Sequence, residues 1–310
     1  MRIEIVGTES LGVRGLCCKV ETRKRKILID PGIALGYNRY GLLPHPFQVA
    51  VGTVVRERII SALTSATDVV ISHYHGDHIP LVDANPYQLK AAKIPTLRQD
   101  IRIWAKGLTG LSQSMKARAQ ALSAVLNINL HYAEGKNEGA IAFSESVPHG
   151  QANNRFGQLM MTKITDAGQT FVHASDIQLL DRKAVLQIVN WHPDIVLASG
   201  PPLYLRRLSK DSRKIAWQNA VSLSRGVDTL ILDHHMTRCE KGIDWLKHLS
   251  VETGKRVVCA ADYMKKPRLL LEAWRKQLYK DMPVPKSWHR DYSRGKVGVE
   301  PYRQWRDYKV

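Results

Sequence analysis

Residues 67–78, Thr-Asp-Val-Val-Ile-Ser-His-Tyr-His-Gly-Asp-His, are the stretch on which the fold turns. An apolar β-branched run, Val69, Val70 and Ile71, stops abruptly at His73, His75, Asp77 and His78. That is the pattern of a buried strand whose C-terminal loop carries chemistry. His73 and His75 are two apart, so on extended backbone both imidazoles leave the same side and can converge on one ion. Gly76 permits a sharp turn that re-aims the next two side chains. Asp77 and His78 then face a second ion close to the first, because imidazole and carboxylate suit zinc, manganese or iron. A lone His at a strand end is more often a hydrogen-bonded structural residue than a ligand. Four ligand-type side chains within six residues are hard to explain as packing.

The 310 residues suffice for a sizeable core in one large domain, and 44% apolar with 24% charged residues is ordinary for a soluble globular chain. No run of about 18 apolar residues occurs, and Met1-Arg2-Ile3-Glu4-Ile5-Val6 goes straight into a strand pattern, so a cytoplasmic protein without a signal peptide or membrane partner is expected. Cys17 and Cys18 are adjacent while Cys239 and Cys259 are scattered, which makes neither a disulfide framework nor a Cys-x-x-Cys metal site. The formal charge of +18 fits a polyanionic partner such as nucleic acid, and equally a soluble surface rich in ion pairs.

Strands are expected over 2–6, 16–21 and 27–29, the last ending in Asp30-Pro31-Gly32. Residues 33–52 read as a loop, 53–65 as a helix and 67–72 as the central strand. Between 88 and 126, Leu89, Ala92, Ile101, Trp104, Leu108, Leu111, Met115, Ala119 and Leu122 recur at helical spacing, so an insertion of two or more amphipathic helices is expected there. Seven basic residues face one acid between Lys90 and Gln120, either a solvated helix face or an anion-binding one. Short strands return at 128–132 and 140–143, then a hairpin at 158–164 and 170–173. A helix at 180–190, a buried strand running into Ser199-Gly200-Pro201-Pro202-Leu203-Tyr204, and a basic helix at 209–225 follow. Thr229-Leu230-Ile231-Leu232-Asp233 is a strand ending in His234-His235, Val257–Ala260 a last strand, and 268–280 a last helix. The tail, 265–310, holds thirteen basic and five acidic residues interleaved with Trp274, Tyr279, Trp288, Tyr292, Tyr302, Trp305 and Tyr308. Such a mixture suits single-stranded nucleic acid, or else a tail packed across the domain with its rings buried.

The motif His73-x-His75-x-Asp77-His78 resembles the signature of the metallo-β-lactamase superfamily of binuclear metal hydrolases. Four further segments resemble that family's other motifs in order. Asp30 at a strand's edge is similar to an aspartate that supports the site through hydrogen bonds; locally it also reads as a turn-capping residue before Pro-Gly. His149, in Ser146-Val147-Pro148-His149-Gly150, resembles the histidine completing the first metal's trio. Asp176, in Ala174-Ser175-Asp176, resembles the carboxylate that bridges both metals, cancelling their repulsion and fixing their spacing. His173, three residues earlier, is expected to point elsewhere and play a supporting part. The pair His234-His235 resembles the last motif: one ligates the second metal, His234 preferred, and the other touches substrate or leaving group.

The resemblance implies an α/β fold, the four-layer αβ/βα sandwich, over 1–264, with the helical insertion at about 88–126 and a basic, aromatic-rich extension at 265–310. It implies two divalent ions, zinc or else manganese or iron, one held by His73, His75 and His149 and the other by Asp77, His78 and His234 or His235, with Asp176 shared. Asp77, Asp30 and His235 are the catalytic expectations, and Ser199 and Tyr204 the candidates for touching substrate. Within the superfamily the chain is similar to archaeal-type predicted metal-dependent hydrolases, whose Ser-Asp and Leu-Asp-His-His segments read alike. The basic segments turn the substrate expectation towards a phosphodiester, in nucleic acid or a small molecule. The alternatives are a carboxylic ester, thioester or lactone, or a nucleic-acid-binding protein whose metal site is structural.

Overall fold

Period-two burial sorts the first strands into two faces. In β1 (Arg2–Thr8), β2 (Leu16–Glu21), β3 (Lys26–Ile29) and β4 (Asp68–Ile71), the side chains of Ile5, Cys18, Ile27, Ile29 and Val70 join one apolar cluster. Val6, Cys17, Leu28, Val69 and Ile71 join another. A strand covered on both sides must distribute its residues this way. The computed structural model describes residues 1–152 and 156–302. Within them, β5 (Arg102–Ala105) and β6 (Leu130–Tyr132) complete a six-stranded sheet in chain order, antiparallel up to β3 and parallel from there. Helices α1 (Pro46–Ser65) and α2 (Gln113–Leu126) cover its outer face, burying Phe47, Val55, Ile59, Met115 and Leu122 against Val69, Ile71 and Ile103.

The second half builds a seven-stranded sheet from β7 (Asn137–Glu138), β8 (Ile141–Phe143), β11 (Thr162–Asp166), β12 (Gln169–Ser175), β13 (Ile195–Ala198), β14 (Thr229–Leu232) and β15 (Arg256–Val258). A separate pair, β9 (Val147–Pro148) and β10 (Gln158–Leu159), brackets the His149 loop. Strands β12 to β15 run parallel, each crossover carrying α3 (Arg182–Asn190), α4 (Lys210–Arg225) or α5 (Lys241–Thr253). The two sheets and these helices share one cluster, from Ile29, Val70 and Trp104 through Phe171 and Leu197 to Val185, Leu223 and Leu246. The layers are therefore helix, sheet, sheet, helix, as expected of an αβ/βα sandwich. Short helices α6 (Ala260–Tyr263), α7 (Arg275–Asp281) and α8 (Trp288–Ser293) close the chain.

Three expectations are corrected. The first helix begins at Pro46 rather than 53, with His45 as its cap: His45 Nδ1 accepts the Phe47 N–H at 3.1 Å, and proline at the first position loses no bond. Its opening residues, Pro46 to Gly52, are buried all round, so no amphipathic period marks them. The span 88–126 is not a helical insertion. Residues Arg102–Ala105 form β5, paired with β4 so that Val70 faces Trp104, and besides a one-turn 3₁₀ segment, Ala91–Lys93, only α2 is helical. Ile101, Trp104, Leu108 and Leu111 mimic a helix face, but the open edge of β4 claims the backbone between them. The helix expected at 268–280 is the shorter α7, followed by α8, because the chain from Leu269 to Trp274 runs into the core instead.

The described part of the tail is packed. Trp288 is buried and stacks on Tyr292 with ring centroids 4.9 Å apart, while Trp274, Tyr279 and Tyr302 are half-buried. Glu272 is fully buried and bound twice by Arg14, at 2.6 Å each, and the buried Arg275 donates to Gly36 O, Leu42 O and Gln48 Oε1. Trp305 and Tyr308 lie outside the described residues. No helix among the described residues is long and apolar enough to cross a membrane.

Candidate metal centre

The parallel strands of both sheets end at one edge, and the chain turns sharply there. Asp30 after β3, Ser175 closing β12 and His234 after β14 all have positive φ, 50°, 49° and 54°. Three non-glycine residues in the left-handed region is the kind of strain that gathers at functional sites. After β4 the chain passes through His73, Tyr74 and His75 outside regular structure. Tyr74 points into the core, its hydroxyl donating to Lys106 O at 2.7 Å, while His73 Nε2 and His75 Nδ1 lie 3.0 Å apart on the other side. The turn at 76–78 closes through His78 N–H to His75 O at 3.0 Å. Gly76 takes no left-handed φ there; a Cβ on it would lie 2.7 Å from Leu81 Cδ1, so that side chain would have to shift.

Every motif residue arrives at this edge. His73, His75, His149 and Asp176 offer ligand atoms within 4.8 Å of one another, as do Asp77, His78 and His234, and again Asp176, His234 and His235. Asp176 Oδ2 is the common point, 3.0 Å from His149 Nε2, 3.1 Å from His235 Nε2, 3.4 Å from His78 Nε2, 3.6 Å from His234 Nε2 and 4.0 Å from His73 Nε2. His234 Nε2 also lies 3.4 Å from Asp77 Oδ2. His78 Nε2 and Asp176 Oδ1 are buried without a hydrogen-bond partner. Buried polar atoms are normally satisfied, so orphans inside an imidazole and carboxylate cluster fit cations held there.

The supporting contacts fix which nitrogens face inward. His78 Nδ1 is 2.9 Å from Asp30 Oδ2, and His73 Nδ1 is 2.9 Å from Ser72 Oγ, which itself donates to Asp30 Oδ2 at 2.7 Å. Ser72 N–H and Ser175 Oγ also donate to Asp30, at 2.8 and 3.1 Å, so this one buried carboxylate ties β3, β4 and β12 together. A carboxylate behind a histidine sets its tautomer and raises its basicity, as metal sites require. Gly32 makes room for the arrangement, since a Cβ on it would meet the His78 carbonyl carbon at 2.2 Å. Burial works against charge on Asp176 and Asp77, yet His78 and His234 beside them hold both carboxyls well below the usual range. Burial, with His78 and His75 beside it, pushes His73 far down, and burial with His149 lowers His75 to about 3. Anionic carboxylates beside neutral His73 and His75 are protonation states that metal ligation needs. At His78, by contrast, burial is outweighed by Asp176 and Asp30, which push it well up, so a cation bound there would displace its proton.

The chain is 48% identical to the UPF0282 protein of Methanosarcina mazei, over 97% of its own length and 99% of that relative's. It belongs to the UPF0282 family. The UPF0282 protein of Methanopyrus kandleri is 36% identical over 90% of this chain and 99% of its own. No family model matches the chain. Among solved structures, Tm1679, a metal-dependent hydrolase of the beta-lactamase superfamily, superposes with a TM-score of 0.51 over 84% of this chain and 96% of that one at 15% identity. The metallo-β-lactamase sandwich expected from the motifs is thus the fold of this UPF0282 chain.

Two expected residues part company. Tyr204 lines the pocket of ≈ 310 Å³ over the cluster, together with His75, Asp77, Asp176, His235 and Arg238. Ser199 does not reach it: the side chain is fully buried and its hydroxyl turns back to Gly200 O. A backbone role explains the position better, since Ser199 N–H bonds Ser175 O at 3.0 Å. His173 joins no donor group and bonds Leu16 O at 2.9 Å, as its register predicts.

Motif reading of this UPF0282 sequence missed Asp233 and Arg238. Asp233 is fully buried and accepts from Thr8 Oγ1, Ser10 N, His234 N, Thr237 Oγ1 and Ala260 N at 2.7–3.0 Å, which locks the ends of β1, β14 and β15 behind His234. Its place between an apolar strand and two histidines was the available signal. The Arg238 guanidinium lies 2.9 Å from His234 Nε2, 3.7 Å from Asp77 Oδ2, 3.3 Å from Glu9 Oε2 and 3.1 Å from the Tyr204 hydroxyl. Nothing local in the sequence points it at the pocket.

Proposed function

We propose that this protein is a metal-dependent hydrolase acting on a phosphodiester. The observation that carries the substrate class is the pocket wall: Arg238 and Arg207 line the same cavity as His75, Asp77, His149, Asp176 and His235, so an anionic group seated over the donors meets guanidinium charge. His73, His75 and His149 would hold one ion, Asp77, His78 and His234 the other, and Asp176 both. His234 is the better second-site ligand because its Nε2 converges with Asp77, His78 and Asp176, whereas His235 groups only with Asp176 and His234. Two divalent ions, of zinc, manganese or iron, supply Lewis acidity there and bring the pKa of water towards neutrality.

The chain's own residues do the rest. Asp30 and Ser72 hold His78 and His73 with Nε2 inward, so the donors need no reorganisation. His235, partly open to the pocket and 3.1 Å from Asp176 Oδ2, is placed to hydrogen-bond the leaving oxygen. Arg238 and Arg207 hold the non-bridging oxygens, and Tyr204, fixed by Arg238, orients the group beside them.

The experiment is turnover of bis-p-nitrophenyl phosphate and p-nitrophenyl acetate by metal-analysed protein, with Asp176→Ala as control and its folding checked by thermal unfolding. Diester turnover that falls at least about 10³-fold in a folded Asp176→Ala supports the proposal. Turnover of the acetate alone, or diester turnover indifferent to the substitution, overturns it and leaves an esterase or a structural metal site.

A further inference from the structure

We infer that the substrate is a single-stranded polynucleotide, and that it reaches the metal centre along a ladder of cations and tyrosine rings; this rests on the phosphodiester reading above. The ladder starts in the pocket. The Arg238 guanidinium sits 5.7 Å from the centre of the Tyr204 ring and donates to its hydroxyl. The Arg39 guanidinium sits 4.8 Å from the Tyr204 ring and 4.7 Å from the Tyr40 ring, and Lys276 Nζ 5.1 Å from the Tyr40 ring. The order Asp77, Arg238, Tyr204, Arg39, Tyr40, Lys276 thus runs without a gap from a metal-ligand position to an exposed lysine.

The outer rung is held in place for a reason the fold does not supply. Arg39 and Leu42 exchange both backbone hydrogen bonds at 3.0 Å around Tyr40 and Gly41, with φ of 59° and 79°. Two positive φ values in a two-residue turn suit Asn-Gly, and a bulky ring at the first of them is strained. Tyr40 fills no core gap: it is 46% exposed, and Tyr37 near it is 58% exposed. Arg39 is anchored from behind by donating to Arg238 O at 3.0 Å, so the rungs are positioned relative to the pocket floor. Glu272 lies 3.9 Å from Arg39 Nε but is bound twice by Arg14 at 2.6 Å, so Arg39 shares that carboxylate rather than being neutralised by it.

Alternating cations and aromatic faces are what a flexible strand needs, since phosphates meet the cations and unpaired bases stack on the rings. A duplex buries its bases and offers the rings nothing, and a small diester does not reach Tyr40. Beyond Lys276, the tail rings Trp288 and Tyr292 are not part of this surface, because Trp288 is buried and stacks on Tyr292, which stacks in turn on Tyr87.

The test is fluorescence anisotropy with labelled oligodeoxythymidylate and oligouridylate of about 12 nucleotides, spanning one site of the usual length. It is read on metal-loaded protein and on Asp176→Ala, with Tyr40→Ala and Lys276→Glu added singly and together. Both side chains are exposed, and unchanged melting temperatures confirm the fold. Binding by either sugar type that weakens about tenfold in Tyr40→Ala, and that loses about one unit of salt slope in Lys276→Glu, supports the track. Affinities unchanged in both variants, or a duplex or inorganic polyphosphate binding as tightly as the single strand, overturn it. If the variants weaken oligonucleotide binding but no diester is turned over, the hydrolase reading fails and the track stands. If bis-p-nitrophenyl phosphate is turned over while oligonucleotides ignore Tyr40 and Lys276, the track alone fails.

Discussion

At the scale of single residues, the centre depends on carboxylates that touch no substrate. Asp30 accepts four hydrogen bonds from three residues, one of them from the imidazole of a ligand candidate. Asp30→Asn keeps the shape but replaces one acceptor oxygen by a donor, against either Ser72 N–H or the oxygen shared by His78, Ser72 and Ser175. The expected outcome is a loss of metal affinity of about 10–100-fold, the usual cost of removing a histidine's carboxylate partner. Competition with a chromophoric chelator measures it, and an unchanged affinity would show that Asp30 only braces the turn. Asp233 is the contrasting case. Its five donors are three backbone N–H groups and two hydroxyls, so Asp233→Ala strands buried donors and should lower stability by about 3 kcal/mol or more. Denaturant unfolding of the metal-free protein checks this. A loss smaller than about 1 kcal/mol would mean that water replaces the carboxylate.

At the scale of elements, the loop carrying His149 is fastened to the first sheet by an ion pair between a fully buried lysine and a half-buried glutamate. The fully buried Lys106 ammonium, just after β5, lies 2.6 Å from Glu134 Oε1 and donates to Gly107 O and Thr109 O. Glu134 also accepts from Gly107 N–H and from Ser146 Oγ, just before β9. Lys106→Met leaves that carboxylate without its cation and should cost about 3 kcal/mol, while adding Glu134→Gln should restore a good part of it. A double-mutant cycle on melting temperature gives the coupling, and additive losses would refute a latch. This element also shows what could be read without coordinates. The ordered His/Asp motifs were legible because each sits where an apolar run ends, which binds local pattern to tertiary position. Strand β5 was not, since Ile103, Trp104 and Ala105 lie within helically spaced neighbours and only the free edge of β4 decides the contest. The opening of α1 hid for the opposite reason: a helix buried on every side has no polar face to reveal its period.

At the scale of the whole molecule, the C-terminal segment is a clasp that joins the outer helix layer to the first sheet, and its pH response follows from how it is held. His289 bridges two tyrosine hydroxyls, Tyr87 at 2.8 Å on Nδ1 and Tyr279 at 2.7 Å on Nε2. Burial, with His45 and Arg275 nearby, lowers it to about 4. The unfolded chain, with its ordinary value near 6.5, then binds the proton more readily than the folded one. The stability is therefore fully present above about pH 6.5 and is lost as pH falls towards about 4. His289→Gln removes the titration and keeps groups able to meet both hydroxyls. Because His289 is only half-buried, solvent screening reduces the effect, and the difference in melting temperature between wild type and variant should change by roughly 2 °C between about pH 7 and about pH 5. Differential scanning calorimetry at the two pH values checks it. Carboxylates elsewhere titrate alike in both proteins and cancel in the comparison, so parallel curves would mean that the clasp does not sense the proton, and a wild type that gains on the variant at low pH would reverse the sign.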